Sequence, residues 1–198
     1  MAGFASIAAA GQSIVRLLNL GFETEPPIAG RRTQAVLVRT NDFQDAQVAA
    51  IMGANALSVF LYRVDFNKAM RAAWSAAAAV DGRARLALDL HYLLTPWSDN
   101  AAHEHRILGR AMQCLEETPV LAGPLLDAGG GWALNEGLQL VLEEVPTEAL
   151  MRTFDSLPTD YRLSVPYIAR VLRVDGREPH PEPPVRTAVR GLVPELAP

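Results

Sequence analysis

Residues 83–119, RARLALDLHYLLTPWSDNAAHEHRILGRAMQCLEETP, decide the fold, because a segment with strand period runs directly into one with helix period. In residues 83–95 apolar side chains recur at every second position, which predicts a strand with one apolar face. Asp89 and His91 belong to the opposite face. The apolar face comprises Leu86, Leu88, Leu90, Tyr92 and Leu94.

Residues 99–118 carry apolar side chains at helical spacing and predict the clearest helix of the chain. Pro96 closes the strand before it, Ser98 or Asp99 is suited to cap its first turn, and Pro119 ends it. The predicted buried stripe contains Ile107, Leu108, Ala111, Met112 and Leu115. The opposite stripe contains His103, Arg106, Arg110, Gln113 and Glu117.

The flanking segments supply more strands than helices. Strands are predicted at 34–40, 56–66, 138–143 and 161–174, and shorter helices at 4–19 and 147–156. The glycines at 129–131 predict a flexible connection. Because few strands are separated by full crossover helices, we expect an α+β fold: a mixed, mostly antiparallel sheet with helices packed on one face.

Composition bounds both the domain organisation and the class of function. We expect one domain over residues 1–175, and a Pro-rich extension over 176–198, since six of the fourteen prolines lie beyond residue 176. A net charge of −4 argues against a nucleic-acid partner, and no apolar run is long enough to insert into a membrane. The single cysteine, Cys114, fits a reducing cytoplasm.

Residues with catalytic or ligating chemistry are few. Asp89 and His91 share a strand face about 7 Å apart, so the carboxylate could orient the imidazole of a small hydrolase. The alternative is an ordinary polar strand face, and no nucleophile motif accompanies the pair. His103 and His105 point about 200° apart on a helix and cannot bind one metal ion. We therefore predict no catalytic, cofactor or metal site.

Two features favour assembly with other chains. The strands at 56–66 and 161–174, the second of which contains Pro166, are candidates for exposed sheet edges, which pair readily with another chain. Arg106 and Arg110 lie on the exposed helix stripe, and arginine is enriched at protein interfaces. An ordinary solvated helix face explains the same stripe equally well.

The central run also resembles a known family. Residues 86–121, LALDLHYLLTPWSDNAAHEHRILGRAMQCLEETPVL, look very like the signature of the cap, or tail-terminator, proteins of phage-tail-like extracellular contractile injection systems of the antifeeding-prophage and virulence-cassette type. Three further segments match in order, at 58–71 (SVFLYRVDFNKAMR), 140–157 (LVLEEVPTEALMRTFDSL) and 161–175 (YRLSVPYIARVLRVD). The resemblance covers roughly residues 4–175.

This resemblance implies a structural role without enzymatic activity or cofactor. Such a protein forms a ring, expected to be a hexamer, on the distal end of the inner tube and sheath, and ends their polymerisation in a particle assembled in the cytoplasm. The expected interface residues are Asp89, His91, Tyr92, His103, Arg106 and Arg110. A phage neck or tail-completion protein and a cytoplasmic assembly chaperone remain alternatives. The extension beyond residue 176 is expected to lie along a neighbouring subunit or the sheath.

Overall fold

The computed structural model describes residues 2–44, 53–70 and 82–179. Within them the chain forms six strands and three main helices, joined by short 3₁₀ turns at 40–43, 123–125 and 128–130. In chain order these elements are α1 (Ser6–Thr24), β1 (Gln34–Val38), β2 (Ala56–Phe66), β3 (Arg83–Trp97), α2 (Ala101–Glu117), β4 (Val120–Ala122), β5 (Gly137–Leu142), α3 (Thr147–Asp155) and β6 (Val165–Pro179).

The six strands form one mixed sheet in the order β1-β2-β3-β6-β5-β4. Only β1 and β2 run parallel, and every other neighbouring pair is antiparallel. The predicted α+β class with a mixed, mostly antiparallel sheet is therefore confirmed. The short strand β4 was not predicted, and it lies at one edge while β1 lies at the other.

The two strands predicted to be sheet edges, β2 and β6, have a neighbouring strand on both sides along only part of their length. β1 pairs with β2 up to Phe60, and β5 pairs with β6 between Tyr167 and Arg170. Beyond these points β2, β3 and β6 continue as a ribbon that we call the three-stranded arm, made of residues 61–66, 83–89 and 171–179. The edge prediction is thus wrong for the six-stranded part and correct for the arm, as far as the described residues extend.

Helices α1 and α2 pack side by side on one face of the sheet and enclose the larger core. Glycines of α1 permit its close approach to β1 and to α2. A Cβ at Gly11 would lie 2.9 Å from Leu37 Cδ1, and one at Gly21 would overlap the Sγ of Cys114. The core between helices and sheet includes Ile14, Leu18, Leu57, Leu90, Ile107, Leu115, Leu138 and Leu172.

The opposite face of the sheet carries the short helix α3 and the turn at 40–43, which corrects the expectation that all helices share one face. A second apolar cluster lies beneath them, formed by Phe43, Phe60, Leu93, Trp97 and Phe154. Leu93 and Trp97 have the same strand parity as Asp89 and His91. The face opposite α1 therefore changes from polar to apolar along β3, and α3 covers the apolar end.

Several element boundaries differ from those predicted. β3 runs through Pro96, which pairs with Leu57, and ends at Trp97. The cap of α2 is neither Ser98 nor Asp99 but Asn100, whose side chain accepts hydrogen bonds from the backbone N–H groups of Ala102 and His103, at 2.8 and 3.3 Å.

The segment 128–131, which contains the glycines at 129–131, is a defined turn where a flexible connection was predicted. The Asp127 carboxylate accepts a hydrogen bond from the Gly129 N–H at 2.9 Å, and Trp132 Nε1 donates to the Asp127 carbonyl at 2.6 Å. Gly131 adopts a φ of 64°, which favours glycine. The indole of Trp132 thus folds back over its own turn. Residues 176–179 of the predicted Pro-rich extension 176–198 form the end of β6. The rest of the extension and most of the Ala-rich segment 68–80 lie outside the described residues.

Candidate functional site

His91 is the centre of the main polar cluster on the described part of the sheet. It lies on β3, its side chain is only 5% exposed, and it faces away from α1 and α2. The Nδ1 atom is 2.8 Å from Glu143 Oε2, just after β5, and Nε2 is 3.3 Å from Asp65 Oδ2 on β2. Both ring nitrogens therefore face carboxylate oxygens, one from each side of the ring.

Arg63 and Tyr62 complete this cluster. Arg63 Nη2 donates to Glu143 Oε1 at 3.0 Å, and its Nε lies 3.0 Å from Asp65 Oδ2. The Tyr62 hydroxyl donates to Glu143 Oε2 at 3.0 Å. A register shift between Leu61 and Arg63 brings Arg63 opposite His91. We call Tyr62, Arg63, Asp65, His91 and Glu143 the His91 cluster.

The electrostatics of the cluster keep Tyr62 protonated. Burial, together with the negative charge of Glu143 and the hydrogen bond to it, raises the pKa of Tyr62 to about 12. The phenol therefore remains a hydrogen-bond donor to the Glu143 carboxylate at any physiological pH. Glu143 accepts from three side chains on β2 and β3, so it fastens the end of β5 to the centre of the sheet.

Asp89 does not orient His91 as the strand spacing suggested. Its carboxylate accepts hydrogen bonds from Asn67 Nδ2 at 3.0 and 3.2 Å, and Asn67 Oδ1 in turn accepts from the Met70 N–H at 3.0 Å. The carboxylates that contact His91 come from other strands. Glu143 is 52 residues away in sequence, and no local pattern points to it.

The cluster has the chemistry of a structural clamp. Among the described residues, none of the side chains that contact His91 is a serine or cysteine, so no hydrolytic nucleophile of that part of the chain is paired with it. Cys114 is buried in the helix core, and burial raises the pKa of its thiol, which opposes thiolate formation. Among residues 2–44, 53–70 and 82–179, no group of three or more His, Cys, Asp or Glu side chains is arranged to hold a metal ion.

The other predicted interface residues lie apart from the His91 cluster. Tyr92 is buried on the opposite face of the sheet, beneath α1. His103 lies in the first turn of α2, with Nδ1 3.7 Å from Asp99. Its helix neighbour Arg106 is exposed and forms no ion pair with the described part of the chain. The six candidates therefore do not form one continuous surface.

Arg110 has an internal role in the fold. Its Nη2 donates to the carbonyl oxygen of Gly21 at 3.3 Å, and its Nη1 lies 3.4 Å from Glu25 and 3.7 Å from Glu117. The guanidinium group therefore neutralises the C-terminal end of α1, where carbonyl groups are otherwise unpaired. This contact ties α2 to α1.

The three-stranded arm exposes apolar side chains. Val64 is 45% exposed and Leu86, which belongs to the apolar face predicted for residues 83–95, is 47% exposed. Both lie on the face that α1 and α2 cover farther along the sheet. The period-2 pattern of β3 correctly predicts which side chains share the apolar face. It does not predict how much of that face the helices cover. No helix within the described ranges has the length and hydropathy to span a membrane.

Comparison with known proteins relates this fold to contractile injection systems. The chain is similar to the sheath/tube terminator of the PVC extracellular contractile injection system in its extended state, with a TM-score of 0.55 and 18% identity, over 96% of this chain and 64% of that one. The cap that terminates the antifeeding-prophage tube is similar with a TM-score of 0.49 and 18% identity, over 94% of this chain and 60% of that one. No curated protein matches the sequence.

At 18% identity these similarities show the fold alone, and the chain spans about 64% of the length of the PVC terminator. The sequence gives the family. Residues 9–188 match the family model described as the Pvc16 N-terminal domain, which is most of the chain. The chain therefore belongs to the Pvc16 N-terminal domain family.

Proposed function

We propose that this chain is a structural cap that ends the inner tube and sheath of a contractile injection particle. The observation that carries the proposal is the match to the Pvc16 N-terminal domain over residues 9–188. The similarity of fold to a sheath/tube terminator over 96% of the chain supports it. The His91 cluster supports it as well, because its contacts are those of a clamp between strands.

A terminator works by matching a repeating surface on one side only. Tube and sheath subunits associate through heterologous interfaces, which do not close by themselves and continue until one face is blocked. The cap binds the last ring of each polymer and presents no equivalent surface for the next subunit. We propose that six copies form the cap ring, so that its symmetry matches that of the tube, and that the particle is assembled in the cytoplasm.

Two surfaces of the described chain suit this docking. The arm presents the exposed apolar side chains Val64 and Leu86 together with strand edges. Helix α2 presents Arg106, which has no ion-pair partner in the described ranges. Exposed apolar side chains and arginine are each typical of protein interfaces. Asp89 and His91 contribute indirectly, by fixing the arm strands to which they belong.

Deletion of the gene in its host, followed by electron microscopy of the particles, tests the proposal. We expect particles that are absent, unstable or of uncontrolled length, and rescue by the intact gene. A copy with Arg106→Glu should rescue poorly although the protein folds. A copy with Arg152→Glu serves as the charge-matched control, because Arg152 is an exposed arginine on α3 whose Nη2 pairs with Glu148 at 2.7 Å.

The alternatives predict different results from the same strain. A cytoplasmic assembly chaperone lowers the number of particles but leaves their length normal, and is missing from purified particles. A phage neck or tail-completion protein copurifies with capsids. Normal numbers of normal-length particles after deletion would contradict the cap proposal.

A further inference from the structure

Strand β1 is one edge of the sheet among the described strands, and its sequence is that of a segment that pairs readily with other strands. Residues 34–38, QAVLV, contain no charged residue and no proline, and three large apolar side chains follow one another. Short uncharged segments of this composition tend to add strands from other chains when they lie at a sheet edge. The edge of β1 therefore needs protection in the folded protein.

The backbone of β1 alternates in direction between its neighbour β2 and the outer side of the sheet. The N–H of Gln34 donates to the carbonyl of Asn55, directly before β2, at 3.4 Å. The N–H and C=O groups of the next residue, Ala35, point the other way, because successive residues of a strand alternate in direction. Ala35 thus presents its backbone groups where an added strand would bind.

A side chain of α1 occupies this position. Asn19 Oδ1 accepts a hydrogen bond from the Ala35 N–H at 2.8 Å, and Asn19 Nδ2 donates to the Ala35 carbonyl at 3.0 Å. A carboxamide carries an acceptor oxygen and a donor nitrogen, as a peptide group does. Asn19 therefore forms with Ala35 the pair of hydrogen bonds that a residue of a neighbouring antiparallel strand would form.

The position of Asn19 in the sequence supports a specific role for its carboxamide. Asn19 lies inside α1, away from both ends, where asparagine is less favourable than alanine by up to about 0.7 kcal/mol. Asparagine is favoured at helix caps and turns, because its side chain competes for backbone hydrogen bonds. Here that side chain bonds the backbone of a different element, and the two bonds to Ala35 offset the unfavourable helix position.

The space beside this contact is not filled by the described part of the chain. A cavity of about 350 Å³ lies against Asn19 and the start of β1, and Phe22, Arg32 and Thr33 are among its lining residues. Bulk alone therefore does not keep a strand away from Ala35. The hydrogen bonds of Asn19 are the contact that a strand would have to replace.

Arginines at both ends of β1 act in the same direction. Arg31 and Arg32 precede the strand, Arg39 follows it, and all three are exposed. Charged residues beside an apolar edge segment oppose its pairing with an identical segment, because like charges are then brought together. The charges protect the ends of β1, and Asn19 protects its middle.

We propose that Asn19 blocks the addition of a strand at the β1 edge by occupying the backbone groups of Ala35. An incoming strand must first break two hydrogen bonds before it can form its own at this residue. Without the carboxamide, the β1 edge pairs with the same edge of a second copy, and the sheet continues from one chain into the next. The block thus prevents association through this edge.

The variant Asn19→Ala in the full chain tests the proposal. It removes the carboxamide and keeps the helix, since alanine is the better helix former. In dilute solution we expect exchange of the Ala35 amide to accelerate by about tenfold, as measured by hydrogen exchange. At higher concentrations the weight-average mass from sedimentation equilibrium should exceed that of the parent by about twofold, because pairing of two copies doubles it.

Two further variants make the result specific. Gln12→Ala is the matched control on α1, because Gln12 is exposed and forms no hydrogen bond with the described part of the chain, and it should equal the parent in both measurements. Asn19→Ala combined with Ala35→Pro removes the outward N–H itself. Proline is tolerated on an edge strand whose N–H faces solvent, so this double variant should return to the mass of the parent.

Three results overturn the proposal: unchanged exchange of the Ala35 amide in Asn19→Ala, faster exchange without any gain in mass, and a gain in mass that persists in the double variant. If Asn19→Ala does not fold, Asn19→Gln replaces it, since this change keeps the carboxamide but displaces it by one methylene group. The same three results then decide. The test does not depend on the proposed cap function.

Discussion

The two faces of the central sheet are built by different interactions, although the same strands form both. Toward α1 and α2, β3 presents Leu88, Leu90 and Tyr92, which belong to the same apolar core as side chains of both helices. Toward the opposite side it presents Asp89 and His91, which contact charged and polar groups of β2 and β5. Along residues 88–92 of β3, one face is thus held by buried apolar area and the other by paired charges.

The difference affects how each face tolerates change. Apolar burial is roughly proportional to the area removed from water and does not depend on direction, so its stabilisation is spread over many side chains. A buried polar cluster is directional, and removing one partner leaves the others unsatisfied. We therefore expect the loss of unfolding free energy to increase with the buried volume removed on the helix-covered face. In the His91 cluster we expect it to increase with the number of partners left unsatisfied.

The largest expected effect is on the helix-covered face. Leu90 is fully buried, and Leu90→Ala leaves a cavity among α1, α2 and the sheet. We expect the free energy of unfolding to fall by about 2–5 kcal/mol, as measured by urea denaturation. Leu86→Ala is the matched control, since Leu86 has the same strand parity but is 47% exposed in the arm, and should cost less than about 1 kcal/mol.

Equal losses at the two leucines would contradict the boundary between core and arm. The arm's apolar face would then be covered in solution, either by another part of the chain or by a second copy. Repeating both measurements at several protein concentrations separates these two cases, because only association depends on concentration.

A smaller effect is expected on the opposite face, in the His91 cluster. The Glu143 side chain is largely buried and receives hydrogen bonds or ion pairs from Tyr62, Arg63 and His91. Glu143→Gln keeps the shape but loses the charge and part of the acceptor capacity, so unfolding should become easier by about 1–3 kcal/mol. Thermal denaturation checks this.

Asp65→Asn is the control within the same cluster. Asp65 also contacts Arg63 and His91, but its side chain is half exposed to water, which screens the interaction. Its loss should cost at most about 1 kcal/mol. If Asp65→Asn destabilises the chain as much as Glu143→Gln, the cluster is more buried in solution than the described residues indicate.

The same contrast explains how much of this fold the sequence predicts. Alternation of apolar residues is a local signal, so the helix-covered face of β3 and the bounds of β2 (56–66) follow from the sequence. The extent of helix coverage is not local. Nothing near Leu86 distinguishes it from Leu90, because exposure depends on where α1 and α2 lie over the sheet.

The His91 cluster shows a second feature that the sequence does not predict, namely which residues are partners across strands. Sequence spacing predicts that His91 pairs with its strand neighbour Asp89. Its nearest carboxylate is instead that of Glu143, which follows β5 and is brought close because β5 pairs with β6, the neighbour of β3. Partners across strands are set by sheet order and by the register shift at β2, and neither is encoded in a local pattern. The catalytic interpretation of Asp89 and His91 rested on that local spacing, and these long-range contacts replace it.

The smallest expected effect is on the free energy of unfolding at alkaline pH, and on the polar face of the sheet it depends on Tyr62. The pKa of Tyr62 is raised to about 12, whereas the unfolded chain ionises near 10. Between these values the folded state binds more protons than the unfolded state, so the stabilisation is complete below pH 10 and is lost as the pH rises toward 12. Tyr62→Phe removes this contribution together with the hydrogen bond to Glu143. The difference in unfolding free energy between parent and variant should therefore be constant below pH 10 and shrink above it.

Tyr167 provides the comparison on the helix-covered side of the sheet. Burial raises its pKa to about 12 as well, but its hydroxyl has no hydrogen-bond partner among the described residues. Tyr167→Phe should therefore flatten the alkaline decline without the loss of stability at neutral pH that Tyr62→Phe causes. Parallel pH profiles for the parent and both variants would show that neither phenol is shielded in the folded protein. A neutral-pH loss in Tyr167→Phe alone would reverse the assignment, because the hydroxyl on the helix-covered face would then be the one that is hydrogen-bonded.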